Sequence, residues 1–287
     1  MPFPWGDFGV NLGATAAAVV AVMAALMAVA TAIRNQSIID IAWGPGFVVI
    51  AAVSYGLSAG AGGDSARRLV VLVLTAVWGL RLGAYIGRRN LGHGEDPRYT
   101  ALMRHRQGNL AVFLVRKVYG LQGVLMWLVS APVQAAMYEH APLGVPGITG
   151  IVVWAAGLTF ESVGDWQLAR FKADPANRGK VMDRGLWAWT RHPNYFGDCC
   201  VWAGLWLLAL GSPVGLATVF SPVLMTFLLL RFSGKALLER RMLRSKGEAY
   251  AAYLSRTSGF FPLPPRPAKE GGPGVSAVPG PGPSRRR

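Results

Sequence analysis

Seven apolar runs of roughly membrane length, separated by basic connections, constrain this chain more than any other feature. The first, Leu12–Ile33, has 22 residues without a charge, about 33 Å as a helix, against a hydrocarbon core of roughly 30 Å. The others run over about Ile38–Leu57, Leu69–Gly87, Val118–Met137, Ile148–Gly164, Tyr195–Leu210 and Leu216–Leu230. Composition agrees, because only 15% of residues are charged while 52% are hydrophobic. The net charge of +15 would suit a soluble nucleic-acid binder, but repeated runs of this length exclude one. The expected fold is therefore all-α, a polytopic bundle of seven transmembrane helices over residues 1–263. Residues 264–287 form a Pro/Gly-rich basic tail.

Charge orients the bundle. Between Arg88 and Lys117 lie seven basic and two acidic residues, between Asp165 and Arg191 six and three, and from Arg231 onward twelve and three. The positive-inside rule puts these regions in the cytoplasm, with the N-terminus outside and the C-terminus inside. Arg67 and Arg68 then fall on the wrong side. The first run lacks a preceding basic residue and reads as a span rather than a cleaved leader. Pro45, Pro132 and Pro222 lie within runs and predict kinks. Adjacent Cys199 and Cys200 read as small core residues, not a disulfide.

Ionisable side chains inside apolar spans cost roughly 2.5–3.5 kcal/mol each on insertion scales, so each needs a reason. Five qualify: Asp40, Arg81, Glu161, Asp165 and Asp198. Asp40 and Arg81 lie on consecutive spans and could meet. Helix-locking ion pairs would also explain such residues. The richest stretch is Phe160–Asp198, which combines cations suited to phosphates, aromatic faces suited to a nucleotide ring, and Asn and Asp for hydroxyls or a carboxamide. A basic interfacial loop anchored by Trp187 and Trp189 is the plainer reading. Glu95-Asp96 reads as local charge balance. Four scattered histidines (His93, His105, His140, His192) make no zinc pattern, no metal is expected, and neither a G-x-S-x-G elbow nor a Rossmann fingerprint occurs.

The run Arg191-His192-Pro193-Asn194-Tyr195-Phe196-Gly197-Asp198, with Asp165 and Gly185-Leu186-Trp187 before it, resembles the steroid 5α-reductase superfamily, particularly its bacterial membrane members. Asp40 to Gly44, Arg81 to Asn90, Glu95 to Tyr99, Leu121-Gln122-Gly123 and Glu239 to Pro262 extend the resemblance over most of residues 37–264. Isoprenylcysteine carboxyl methyltransferases share the Arg-His-Pro element.

The resemblance implies a seven-helix reductase of a bacterial plasma membrane. Such an enzyme moves hydride from NADPH to an activated carbon–carbon double bond of a hydrophobic substrate drawn from the bilayer. The half over about 12–137 would enclose substrate, and the half over about 148–263 would hold cofactor. By resemblance, Glu161, Asp165, Arg178, Arg191, His192, Asn194, Tyr195, Asp198, Arg231, Lys235 and Glu239 are the cofactor residues, with Asn90 and Arg98 from the earlier loop. The family polarises its substrate carbonyl with a glutamate and a tyrosine. Asp40 stands near the first, while the second aligns with Trp78, which lacks a hydroxyl, and Tyr85 lies two turns on. A protonated Asp40 is the expected electrophile, with Arg81 tuning or replacing it. An S-adenosylmethionine-dependent methyltransferase and a non-catalytic bundle are the competing readings, and the sequence leaves oligomeric state open.

Overall fold

In a computed structural model, residues 2–267 are described except 93, 105, 107, 233 and 234. His93, His105 and tail positions 268–287 thus lie outside the described residues. The chain is all-α. Helices α1 (Trp5–Ala32), α2 (Ile38–Leu57) and α3 (Ser65–Asn90) lead to a short α4 (Pro97–Arg104). Next come α5 (Leu110–Leu114), a π-helical turn (Val115–Tyr119), α6 (Gly120–Val129) and α7 (Ala131–Ala136). The second half holds α8 (Gly144–Ala173), α9 (Leu186–Trp189), α10 (Pro193–Leu207), α11 (Pro213–Ala217), α12 (Phe220–Phe227) and α13 (Lys235–Arg256).

Among the described residues, six helical stretches are long and apolar enough to cross a membrane: Trp5–Ala32, Ile38–Gly60, Ser65–Asn90, Leu110–Val129, Gly144–Ala173 and Pro213–Arg231. The protein is an integral membrane protein with several apolar helices. The sixth expected span, Tyr195–Leu210, differs from expectation. It is the 15-residue α10, only about 22 Å long, started by Pro193 and followed by a turn at 208–210. The fourth run is also interrupted: Pro132 sits in the first turn of α7 and restarts a helix after Ser130 rather than kinking one. Pro45 remains inside α2, and its ring packs against Gly83 of α3 beside the Ile41 carbonyl that a proline nitrogen cannot satisfy.

Two seams of glycine hold the bundle close. Gly44 and Gly79 face each other between α2 and α3, where a β-carbon on either would strike the other's carbonyl. Gly150 and Gly157 on α8 meet Gly204 and Gly197 on α10 in the same reciprocal way, each seven residues apart. Where lipid surrounds the helices, such small-residue contacts are a main source of association, because backbones approach closely enough for dispersion and weak C–H···O contacts. Between α1 and the α6–α7 region, Gln134 adds side-chain hydrogen bonds with Asn11 (3.1 Å), Thr15 (2.8 Å) and Ser130 (2.8 Å).

Arg67 and Arg68, the two charges at odds with the expected orientation, are buried and spent on carbonyls and the Ser58 hydroxyl. Arg67 donates to Ala141 O (3.0 Å), Pro142 O (2.8 Å) and Leu208 O, the last at the end of α10. Arg68 donates to Ser58 Oγ (2.8 Å) and Tyr55 O (2.6 Å) and lies over the Tyr55 ring. Both neutralise helix C-termini, whose last carbonyls lack intrahelical partners.

Candidate functional site

The α8–α10 seam brings acids together. On α8 the buried stripe is Gly157, Glu161, Gly164 and Asp165; on α10 it is Gly197, Asp198, Val201 and Trp202. Gly197 abuts the backbone of Glu161, so the carboxyls of Glu161 and Asp198 enter one buried space. From α3, Arg81 reaches in with a forked pair of contacts: Nη1 to Glu161 Oε1 at 2.6 Å and Nη2 to Asp165 Oδ2 at 2.5 Å. Trp78 Nε1 donates to Glu161 Oε2 (3.1 Å), and Asn194 Nδ2 to Asp165 Oδ1 (3.2 Å). Tyr85 packs under Arg81, 5.5 Å from guanidinium carbon to ring centre, and sits beside Asp165. Phe47, Trp78 and Trp202 close the apolar side with centroids 4.7–5.6 Å apart. Asp198 Oδ1 and Trp202 Nε1 are buried without a hydrogen-bond partner among the described residues. Among the described residues, two carboxyls therefore share the Arg81 guanidinium, and a third, Asp198, lies beside them.

Asp40 does not join this cluster, and its meeting with Arg81 does not occur. It accepts from Arg98 Nη2 at 2.6 Å and from the Tyr99 hydroxyl at 2.7 Å, so both oxygens are occupied by donors. Gln122 Nε2 donates to Tyr99 in turn (3.3 Å). Nearby, Glu95 accepts from the backbone N–H groups of Gln36 (2.6 Å) and Ser37 (2.9 Å), capping the start of α2. The Glu95–Tyr99 loop is thus a latch on the first turn of α2, which goes beyond local charge balance. Burial would raise the Asp96 carboxyl, but hydrogen bonds from Arg98 hold it below its usual range.

A third polar group anchors the C-terminal helix. Arg191 Nε meets Glu239 Oε1 at 2.9 Å, and its Nη1 donates to Leu254 O (3.1 Å) and Thr257 O (2.9 Å). His192 Nε2 lies 3.1 Å from the same Glu239 oxygen and its ring stacks on Tyr195. Tyr253 donates to Trp187 O at 2.6 Å. Burial holds the His192 imidazole below its usual 6.5. Burial would raise Glu239, but the His192 hydrogen bond and the Arg191 charge keep it below 4.5. Both groups bind fewer protons folded than unfolded. Their stabilisation is therefore present above about pH 6.5 and is lost as pH falls, first through the His192 window and then below about 4.5. Thermal unfolding in detergent is expected to shift down by a few degrees between about pH 7.5 and about pH 5. His192→Gln should flatten that slope, and a midpoint that rises on acidification would contradict this anchoring.

The cations among the expected cofactor residues divide. Arg191 is fully engaged by α13, and Arg98 by Asp40 and Asp96. Arg178 and Arg231 are exposed, and Lys235 lies with Arg191 beside Gly259. Two cations were missed by sequence reasoning: Lys172 and Arg89, which lie close enough to repel each other. Lys172 is seven residues after Asp165, hence two turns along nearly the same helix face, and that spacing was the available signal. Asn90 accepts from Arg89 at 3.0 Å while its Nδ2 is buried without a partner among the described residues. Trp187 is not an interfacial anchor but is buried, donating to Gly164 O at 2.9 Å; Trp189 is exposed.

These features define an all-α integral membrane protein with a charged cluster buried between its third, eighth and tenth helices. The chain belongs to the family described as Protein of unknown function (DUF1295), whose sequence pattern matches residues 26–257. Over 69 residues it is 36% identical to a protein named Probable O-methyltransferase ustE from Ustilaginoidea virens, a match spanning 24% of this chain and 24% of that protein. No solved structure matches the chain.

Proposed function

We propose that the protein is a membrane-embedded reductase that uses NADPH to reduce an activated carbon–carbon double bond of a hydrophobic substrate. The proposal includes seven crossings, with the short α10 as the sixth, the N-terminus outside and the C-terminus cytoplasmic. The observation that carries the reading is the excess of carboxyls over guanidinium among Glu161, Asp165, Asp198 and Arg81. A dihydronicotinamide supplies a hydride and gains positive charge in doing so, whereas a sulfonium supplies a methyl and loses its charge. Carboxyl oxygens facing a buried site, through their full or partial negative charge, therefore favour the transition state of the first and the ground state of the second.

The orphaned atoms support the fit: Asp198 Oδ1 can accept from a carboxamide N–H. The repelling pair Lys172 and Arg89 would hold phosphates, joined by Arg178 and Arg231. Asn194 holds Asp165 in register, and Arg191, His192, Lys235 and Glu239 position α13 behind the site. Trp78 has its only donor committed to Glu161, so Tyr85 is the better proton donor to the substrate carbon. Asp40 acts at a distance, by fixing the latch. An apolar cavity of about 370 Å³ between α1 and the α5–α6 segment, lined by Val19, Met23, Tyr119 and Trp127 among others, supports a hydrophobic guest from the bilayer.

The 69-residue likeness favours a second reading, a membrane methyltransferase using S-adenosylmethionine. Calorimetric titration of the purified protein with NADPH, NADH and S-adenosylmethionine separates the two. NADPH is expected to bind most tightly, and Asn194→Ala is expected to weaken it about tenfold, as loss of a charge-linked hydrogen bond does. Preference for S-adenosylmethionine would establish the second reading instead, and no binding to any of the three would leave a non-catalytic bundle.

A further inference from the structure

The stretch Phe160–Asp198 reads as one site in the sequence, but α8 divides it. Each helical residue turns the face by about 100°, so Trp166 and Arg170 look away from the Glu161–Asp165 stripe, while Phe171 stands at its flank. The chain then returns over this outer face. Gly185 presses on Gln167, and Leu186 N donates to Gln167 Oε1 at 3.0 Å. Between the helix and the returning loop lies a recess of about 390 Å³. Trp166, Phe171 and Met182 give it apolar walls, and Arg170 and Arg184 give it charge.

Both arginines are held by aromatic rings rather than by acids. Arg170 lies 5.6 Å from the Trp166 ring centre and Arg184 lies 6.0 Å from that of Phe171. Neither makes an ion pair among the described residues. Asp174, the acid in the lining, is already engaged: its oxygens accept from Ala176 N (2.9 Å) and Asn177 Nδ2 (3.3 Å). Depth is set by length. At 30 residues α8 is about 45 Å long, so roughly ten residues extend beyond a 30 Å core. Its basic end carries the recess, which puts these ten at headgroup level. Trp166 is 57% exposed there, as an interfacial tryptophan is.

We propose that this recess binds the phosphate of an anionic phospholipid, with Arg170 and Arg184 on the phosphate oxygens and Trp166 and Phe171 against the glycerol and first methylenes. A soluble phosphate ester offers the same charge, but it supplies no methylenes for the apolar walls at this depth. The site is independent of the proposed reaction, since it uses none of Glu161, Asp165 or Asp198.

Native mass spectrometry of the full chain, with phosphatidylglycerol and phosphatidylcholine in competition, tests it. The wild type is expected to retain phosphatidylglycerol preferentially, by about fivefold for each arginine. Arg170→Gln with Arg184→Gln should bring the two lipids to parity, while Arg170→Lys with Arg184→Lys should keep most of the preference. Parity in the wild type, or an undiminished preference in the glutamine pair, would overturn the proposal. Displacement of bound phosphatidylglycerol by millimolar glycerol 3-phosphate would also overturn it, by assigning the recess to soluble phosphates. Should the glutamine pair fail to fold, Arg184→Gln alone, on the returning loop, carries the same test.

Discussion

Arg81→Met is expected to destabilise the protein by about 3–5 kcal/mol, because it leaves two buried carboxyls without the guanidinium that joins them. Arg81 retains 21% side-chain exposure, so partial solvation places the effect toward the lower end of that range. The two contacts, 2.6 and 2.5 Å, use separate nitrogens of one planar fork. A lysine ammonium is a single point and cannot reproduce both. Arg81→Lys should therefore fall between wild type and methionine. Thermal unfolding and the monodisperse fraction in detergent read both variants. A methionine variant as stable as wild type would mean that the acids do not depend on this ion pair.

Asp198→Asn is expected to separate function from stability. Replacing a carboxyl beside the transferred hydride with an amide should lower NADPH-dependent turnover about a hundredfold, the usual scale for loss of one preorganised electrostatic group. Binding of NADP⁺, whose ring is positively charged, should weaken more than that of NADPH. The unfolding midpoint, by contrast, is expected to stay level or rise. The wild-type Oδ1 is buried without a full hydrogen bond among the described residues, and a poorly paired buried carboxyl is a liability that the neutral amide relieves. Equal weakening of both nucleotide forms would remove the electrostatic basis of the proposed reaction.

Much of this arrangement is legible in the chain because it follows from local rules. The uncharged run from Leu12 and the runs that became α2, α3 and α8 declare themselves by length and apolarity. The cost of burying charge singles out Arg81, Glu161, Asp165 and Asp198, which the structure does bring together. Partners are harder to read. Asp40 and Arg81 lie on neighbouring helices, yet a loop nearly sixty residues beyond Asp40 folds back and supplies Arg98 and Tyr99 instead. Nothing in local pattern sets that return. Arg67 and Arg68 violate the charge rule until their carbonyl acceptors, more than a hundred residues away for Leu208, are known. The division of Trp166 from Asp165 is different, since helical phase alone places them on separate faces.

The glycine seam between α8 and α10 has a consequence for how such a protein can diversify. Backbone meets backbone at Gly150, Gly157, Gly197 and Gly204, so the separation of the acids these helices carry is set by main-chain geometry. Side-chain replacement elsewhere cannot retune it. Among the described residues, the glycines of α1 and the α5–α6 segment make no such backbone contact with α8 or α10, and the cavity there is bounded by exchangeable aliphatic and aromatic groups. A new guest can thus be accommodated by reshaping one side of the bundle while the charge spacing on the other acts as a fixed gauge.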